Sequence, residues 1–226
     1  MPRLTRSESQ ARTRAELLAT ARDLFLTDGY AKTSLERVAE EAGYSKGAVY
    51  SNFRTKSQLC LEVLELIHET KFGEVSALLA AHEAFDERMA AFQEWAERTL
   101  GDVGWTMLEF EFAIVARDDP ALQAALVSNL SLIRGTVAAQ LQSLAGSLGI
   151  ALPMPPEDAA TAVLSLGLGL GIQRAIDPSL SARLITDAVR AMITPVGVGA
   201  SGSAVTPGES VTPGSAGSTR LGSAAG

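Results

Sequence analysis

Cysteine occurs once in the 226 residues and histidine only twice, at His68 and His82. One cysteine cannot close an internal disulfide, so a disulfide-stapled scaffold is excluded. The two histidines lie fourteen residues apart, and no Cys, His and Asp grouping at metal-ligand spacing accompanies them. Long apolar runs are also missing. The longest, 162–172, falls short of the roughly 20 residues needed to cross a bilayer. The first fourteen residues are polar and lack the apolar stretch of a signal peptide, so a soluble cytoplasmic protein with no membrane partner is expected. There is no G-x-S-x-G elbow and no phosphate-binding P-loop. Gly167, Gly169 and Gly171 do not complete G-x-G-x-x-G, and no strand precedes them. The sequence therefore predicts no enzyme, no metal and no cofactor.

The net charge of −7 argues against a nucleic-acid partner until it is partitioned. Residues 1–60 carry a net +3, and residues 61–226 a net −10. A small basic module precedes an acidic body, which suggests that one end meets a polyanion. The last 30 residues, from Gly197, hold eight Gly, six Ser and two Pro and repeat Val-Thr-Pro-Gly at Val205 and Val211. Such a composition buries too little apolar surface to offset its ordering entropy, so 197–226 is expected to be a disordered tail.

Between residues 7 and 194 strand-like alternation is absent and helix punctuation is frequent. Thr33 to Glu36 and Thr55 to Gln58 both fit the capping box. Asp119-Pro120 and Asp177-Pro178 each place an N-cap residue before a proline at the first helical position. The expected fold class is all-α, with nine helices near 8–27, 34–42, 45–52, 56–80, 85–100, 105–117, 120–147, 157–176 and 179–194.

In the basic module, Leu17, Leu18, Ala21, Leu24 and Phe25 form a 3.6-period face, and Gly29 is expected to end that helix. Leu35, Val38, Ala39 and Ala42 give a second apolar stripe. Gly43 permits a tight turn, Ser45 caps a short third helix, and Val49 and Phe53 point inward. These features describe a helix-turn-helix unit. Its third helix turns Ser45, Lys46, Gly47, Ala48, Tyr50, Ser51 and Asn52 outward, a small, polar and basic set. Gly47 costs about 1 kcal/mol relative to Ala inside a helix, a cost that close approach of its backbone to another molecule would explain. Lys46 suits a phosphate or a guanine edge, and the helix start favours phosphate. Thr33 and Lys56 begin the flanking helices.

The stretch from Gly29 through Leu59 resembles the DNA-binding domain of TetR-family transcriptional regulators. It carries the Thr33-Ser34 pair, Val38-Ala39, Ala42-Gly43, Ser45-x-Gly47, Tyr50 and Phe53-x-x-Lys56. Tyr44 departs from the aliphatic residue usual after the Ala-Gly pair. The resemblance implies phosphate contacts by Thr33, Lys46, Tyr50 and Lys56, with Ser45, Gly47 and Ala48 near the bases and Ser34 and Ser51 on the same face. Arg3, Arg6, Arg12 and Arg14 are candidates for an arm in the minor groove, or equally for a solvated charged end.

The resemblance implies three parts: a DNA-binding domain at 1–55, a ligand-binding and dimerisation domain at 56–196, and the tail at 197–226. The 169–178 segment is similar to the penultimate helix of many members, whose last two helices pair across a two-fold axis. Leu166, Gly169, Leu170, Gln173, Leu184 and Val189 are the corresponding dimer candidates. Aromatic residues gather between helices four and eight, with Phe72, Phe92, Trp95, Trp105 and Phe112 as pocket candidates and Glu109 as a polar group beside them. The implied function is a homodimeric repressor of a palindromic double-stranded DNA operator, released by a small hydrophobic effector. A DNA-binding regulator without a ligand and a helical enzyme are the other readings. Cys60 is expected to be a buried, inert thiol.

Overall fold

The computed structural model describes residues 5–193, and among these it contains nine α-helices and no strand. The helices are α1 (Arg6–Lys32), α2 (Leu35–Glu41), α3 (Lys46–Asn52), α4 (Lys56–Ala80), α5 (Phe85–Thr99), α6 (Val103–Ala116), α7 (Pro120–Ser147), α8 (Pro156–Ile176) and α9 (Arg183–Ile193). The tail expected at 197–226 and the arm residue Arg3 lie outside the described residues.

Local chemistry sets most of the boundaries. Ser34, Ser45 and Thr55 each accept a hydrogen bond from the backbone N–H three residues on, opening α2, α3 and α4. Asp119 accepts from Ala121 and Leu122, and Pro120 follows as the first residue of α7. α4 and α7 accordingly span the expected ranges. Gly43, with φ +72°, makes the turn between α2 and α3.

Gly29, with φ +81° and ψ +171°, breaks the first helix as expected, and one further turn follows to Lys32, where the Glu111 carboxylate of α6 accepts the Tyr30 N–H at 2.6 Å and the Ala31 N–H at 3.3 Å. Two expectations need correction. Thr33 does not cap α2; Ser34 does, and Thr33 closes α1 instead. Asp177-Pro178 does not start the last helix. Asp177 caps the C-terminus of α8, and its carboxylate takes the Ser179 N–H and hydroxyl in a local turn, which delays α9 to Arg183.

Two cores form. The first holds Leu17, Phe25, Val38, Val49, Phe53 and Leu59 together with Leu108 and Phe112 of α6. The helix-turn-helix core is thus continuous with α4 and α6. The second lies among α4, α5, α7, α8 and α9 around Met89, Trp95, Leu141, Val163 and Ile193. α8 is long and apolar enough by composition to cross a membrane, contrary to the shorter run read from the sequence. It packs instead against α6, α7 and α9, and it carries the buried Arg174.

α1 and α6 cross within the first core, and α4 contributes residues to both cores. At one end the backbones meet so closely that a Cβ on Gly104 would run into the Leu26 carbonyl. At the other end Glu111 holds the Tyr30 and Ala31 amides, charge-assisted bonds of the kind that contribute roughly 1.5–3 kcal/mol.

Candidate DNA-binding face and effector cavity

On α3, Lys46, Gly47, Tyr50 and Ser51 are exposed, while Val49 and, just after the helix, Phe53 are fully buried beneath them. A Cβ added to Gly47 would meet nothing nearer than the Ser45 Oγ at 3.8 Å. Nothing among the described residues therefore requires a glycine there. Ser45 binds the Ala48 N–H as the N-cap, and Ser51 donates to the Ala48 carbonyl. Ser34 lies exposed at the start of α2. The Tyr50 hydroxyl donates to Glu36 of α2 at 2.6 Å, and this bond holds the Glu36 carboxyl below its usual range.

Two expected phosphate contacts are otherwise engaged. Thr33 is buried, and its hydroxyl donates to the Gly29 carbonyl at 2.9 Å. The Lys56 ammonium donates to the Tyr30 carbonyl at 2.8 Å and lies 4.0 Å from the Tyr30 ring centroid. Both fix the end of α1 rather than face outward. The described arginines of the expected arm also belong to α1. Arg12 pairs with Glu16, and Arg14 reaches Glu62 at 2.7 Å and stacks on Phe53. Tyr44 stitches the turn to α1 by donating to Glu16.

In the acidic body, a cavity of about 320 Å³ opens among α4 to α9. It brings together Phe72, Phe92, Trp95, Trp105 and Glu109, five of the six pocket candidates. Phe112 is excluded: it is fully buried in the first core, edge-on to Tyr30 at 6.0 Å. Sequence reasoning missed the link between His68 and Asn129. Asn129 Nδ2 lies 3.1 Å from His68 Nδ1, and His68 Nε2 lies 2.5 Å from Glu109 Oε1. Trp105 Nε1 donates to that same oxygen at 2.6 Å. The i, i+4 spacing of Trp105 and Glu109 was a readable signal for one of these bonds. Asn129 gave none.

Of the dimer candidates, Leu170 and Val189 are buried within the chain, and Val189 lines the cavity. They offer no outward surface. Leu166 and Gly169 are half-buried, whereas Gln173 and Leu184 are exposed beside Ile176. Cys60 is fully buried and its thiol is pushed up by desolvation, which makes it unreactive.

Residues 17–63 match the profile of bacterial regulatory proteins of the tetR family, a span that covers α2, α3 and the turn between them. This stretch is therefore similar to the DNA-binding domain of TetR-family regulators. TtgR, an HTH-type transcriptional regulator of Pseudomonas putida, is 38% identical over 87 residues, which are 38% of this chain and 39% of TtgR. AcrR of Shigella flexneri is 41% identical over 75 residues, covering 33% of this chain and 34% of AcrR. The chain thus spans about two fifths or less of these curated relatives' length. The crystal structure of reduced NemR from E. coli shares the fold, with a TM-score of 0.66 and 21% identity over 81% of this chain and 98% of NemR. The TetR-family match stops at residue 63, short of all but the first turns of α4, so the cavity's chemistry rests on its own geometry.

Proposed function

We propose that this protein is a cytoplasmic, homodimeric TetR-family repressor that binds a palindromic operator and leaves it when a small molecule fills the cavity. Residues 1–55 read DNA, and residues 56–196 bind the effector and dimerise. The observation that carries this reading is the outward face of α3. It is basic and small, and it contains a glycine that no contact among the described residues requires. Ser34, Ser45, Lys46, Gly47, Ala48, Tyr50 and Ser51 remain its candidate contacts. In a dimer, two such helices about 34–36 Å apart would enter successive major grooves.

The glycines of α8 support pairing through its outer side. A Cβ at Gly167 would press on Ile185 at 3.2 Å, and one at Gly171 would face Thr106. At Gly169 it would meet nothing, which leaves room for a partner helix beside Gln173, Ile176 and Leu184.

Gel shifts with DNA from upstream of the protein's own gene test the reading; equal affinity for unrelated DNA would overturn it. Lys46→Ala is expected to weaken binding across sequences and to reduce the salt slope by about 1. Glu36→Gln is expected to act oppositely. It removes a negative charge from the DNA-facing side and replaces the charge-assisted bond to the Tyr50 hydroxyl by a weaker neutral one, so binding tightens and the salt dependence steepens. Fluorescence anisotropy at several salt concentrations measures both.

A further inference from the structure

Among the described residues, three ionisable side chains border the cavity: His68 of α4, Glu109 of α6 and Arg134 of α7. The rest of the lining is mainly aliphatic and aromatic, with Phe72, Phe92, Trp95 and Trp105 contributing the rings. His68 Nδ1 faces the Asn129 amide, while His68 Nε2 and the Trp105 indole N–H are two partners of Glu109. Both converge on Oε1 of Glu109. Among the described residues no donor reaches Oε2, although the Glu109 side chain borders the cavity and is 24% exposed. One oxygen of this carboxyl group thus borders a largely apolar chamber without a hydrogen-bond donor.

This arrangement discriminates between ligand classes. A purely hydrophobic ligand would strip water from Oε2 and leave a buried, charged acceptor without a partner. An anionic ligand would add like-charge repulsion. A ligand with a cationic nitrogen would supply the missing donor and neutralise the carboxylate, while the rings would attract the same cation through their π faces. The volume of about 320 Å³ lies at the small end of the roughly 300–1,000 Å³ of small-molecule sites, which suits a ligand of one to three rings.

We propose that the cavity selects apolar, aromatic-sized amines, with the ligand's ammonium group on Glu109 Oε2. This rests on reading the cavity as the effector site, and it sharpens the effector from merely hydrophobic to cationic and hydrophobic.

Three matched probes test it: 1-naphthylmethylammonium, 1-naphthylmethanol and 1-naphthylacetate, titrated against the full chain by calorimetry and by quenching of Trp95 and Trp105. The ammonium is expected to bind about 10-fold or more tightly than the alcohol, and the carboxylate more weakly than either. Glu109→Gln should shrink the ammonium-to-alcohol ratio to within about threefold while alcohol binding persists. Arg134→Ala, which removes a positive charge from the lining, should raise ammonium affinity. Equal binding of ammonium and alcohol by the unsubstituted protein, preference for the carboxylate, or no binding of any probe overturns the proposal. These rankings decide the matter even where Glu109→Gln fails to fold. A gel shift with the ammonium then separates the two readings: tight binding without release from operator DNA keeps the ligand class and removes the effector role.

Discussion

Gly104→Ala is expected to lower the melting temperature by roughly 4–8 °C and to change operator affinity, although residue 104 lies far along the chain from α3. The added Cβ meets the backbone of Leu26, with its carbonyl carbon at 3.1 Å and its Cα at 3.3 Å. Neither can swing aside as the tip of a flexible side chain would. α1 and α6 must therefore separate, and overpacking of this kind costs typically 1–3 kcal/mol, occasionally more. Alanine's better helix propensity offsets up to about 1 kcal/mol of that. A net loss near 2 kcal/mol corresponds to the stated shift for a chain of this size, at roughly 2–4 °C per kcal/mol. The functional part follows from position. α6 carries Glu109 at the cavity and Glu111 at the break in α1, so displacing it disturbs the base on which α2 and α3 stand. Calorimetry paired with DNA titration checks both effects. A variant with unchanged melting and unchanged DNA affinity would show that the crossing tolerates the methyl group and transmits nothing.

The same crossing explains which features the sequence left hidden. The helix-turn-helix was legible because its signals are local: hydroxyl N-caps at Ser45 and Thr55, a turn at Gly43 and apolar stripes of helical period. α7 was legible for the same reason, through Asp119-Pro120. Features set by distant partners were not. The last turn of α1 continues past Gly29 because Glu111, about eighty residues away, satisfies its first amides. Thr33 turns inward for the sake of Gly29 and Leu24, and Lys56 for the sake of Tyr30. Phe112 matched the aromatic pattern of a pocket, yet its face of α6 meets α1 while Glu109 borders the cavity. Most of the cavity's rings were nevertheless foreseen, because a helical bundle of this size has few places to put large side chains.

Arg174→Met is expected to be more damaging still, at about 3–5 kcal/mol, because it breaks a buried ion pair from one side only. The Arg174 side chain is 10% exposed and binds four acceptors. Nε donates to the Leu100 carbonyl at 2.8 Å, Nη2 to the Glu97 carbonyl at 2.9 Å, and Nη1 to the Leu180 carbonyl and the Glu97 carboxylate. Methionine preserves much of the volume and none of these bonds. The other Glu97 oxygen accepts the Ser181 hydroxyl at 2.7 Å and the Ala182 N–H at 2.8 Å, which positions the start of α9. These bonds, the one from Ser181 first and Arg174 with them, hold the Glu97 carboxyl below its usual range. A depressed carboxyl contributes stability above its unfolded pKa and loses it as pH falls through the folded value. The unsubstituted protein should therefore lose this contribution on acidification below about pH 4, whereas the variant has less of it to lose. The stability gap between the two should narrow from pH 6 toward pH 3. A gap that stays constant with pH would mean that the three carbonyls, and not Glu97, account for the role of Arg174. Either way the damage lands on α9, whose Ile185 and Val189 close the cavity and whose Leu184 faces outward beside α8. Ligand binding and dimerisation should thus fail together in this variant at temperatures where the helix-turn-helix core, which contains no residue of α8 or α9, still holds.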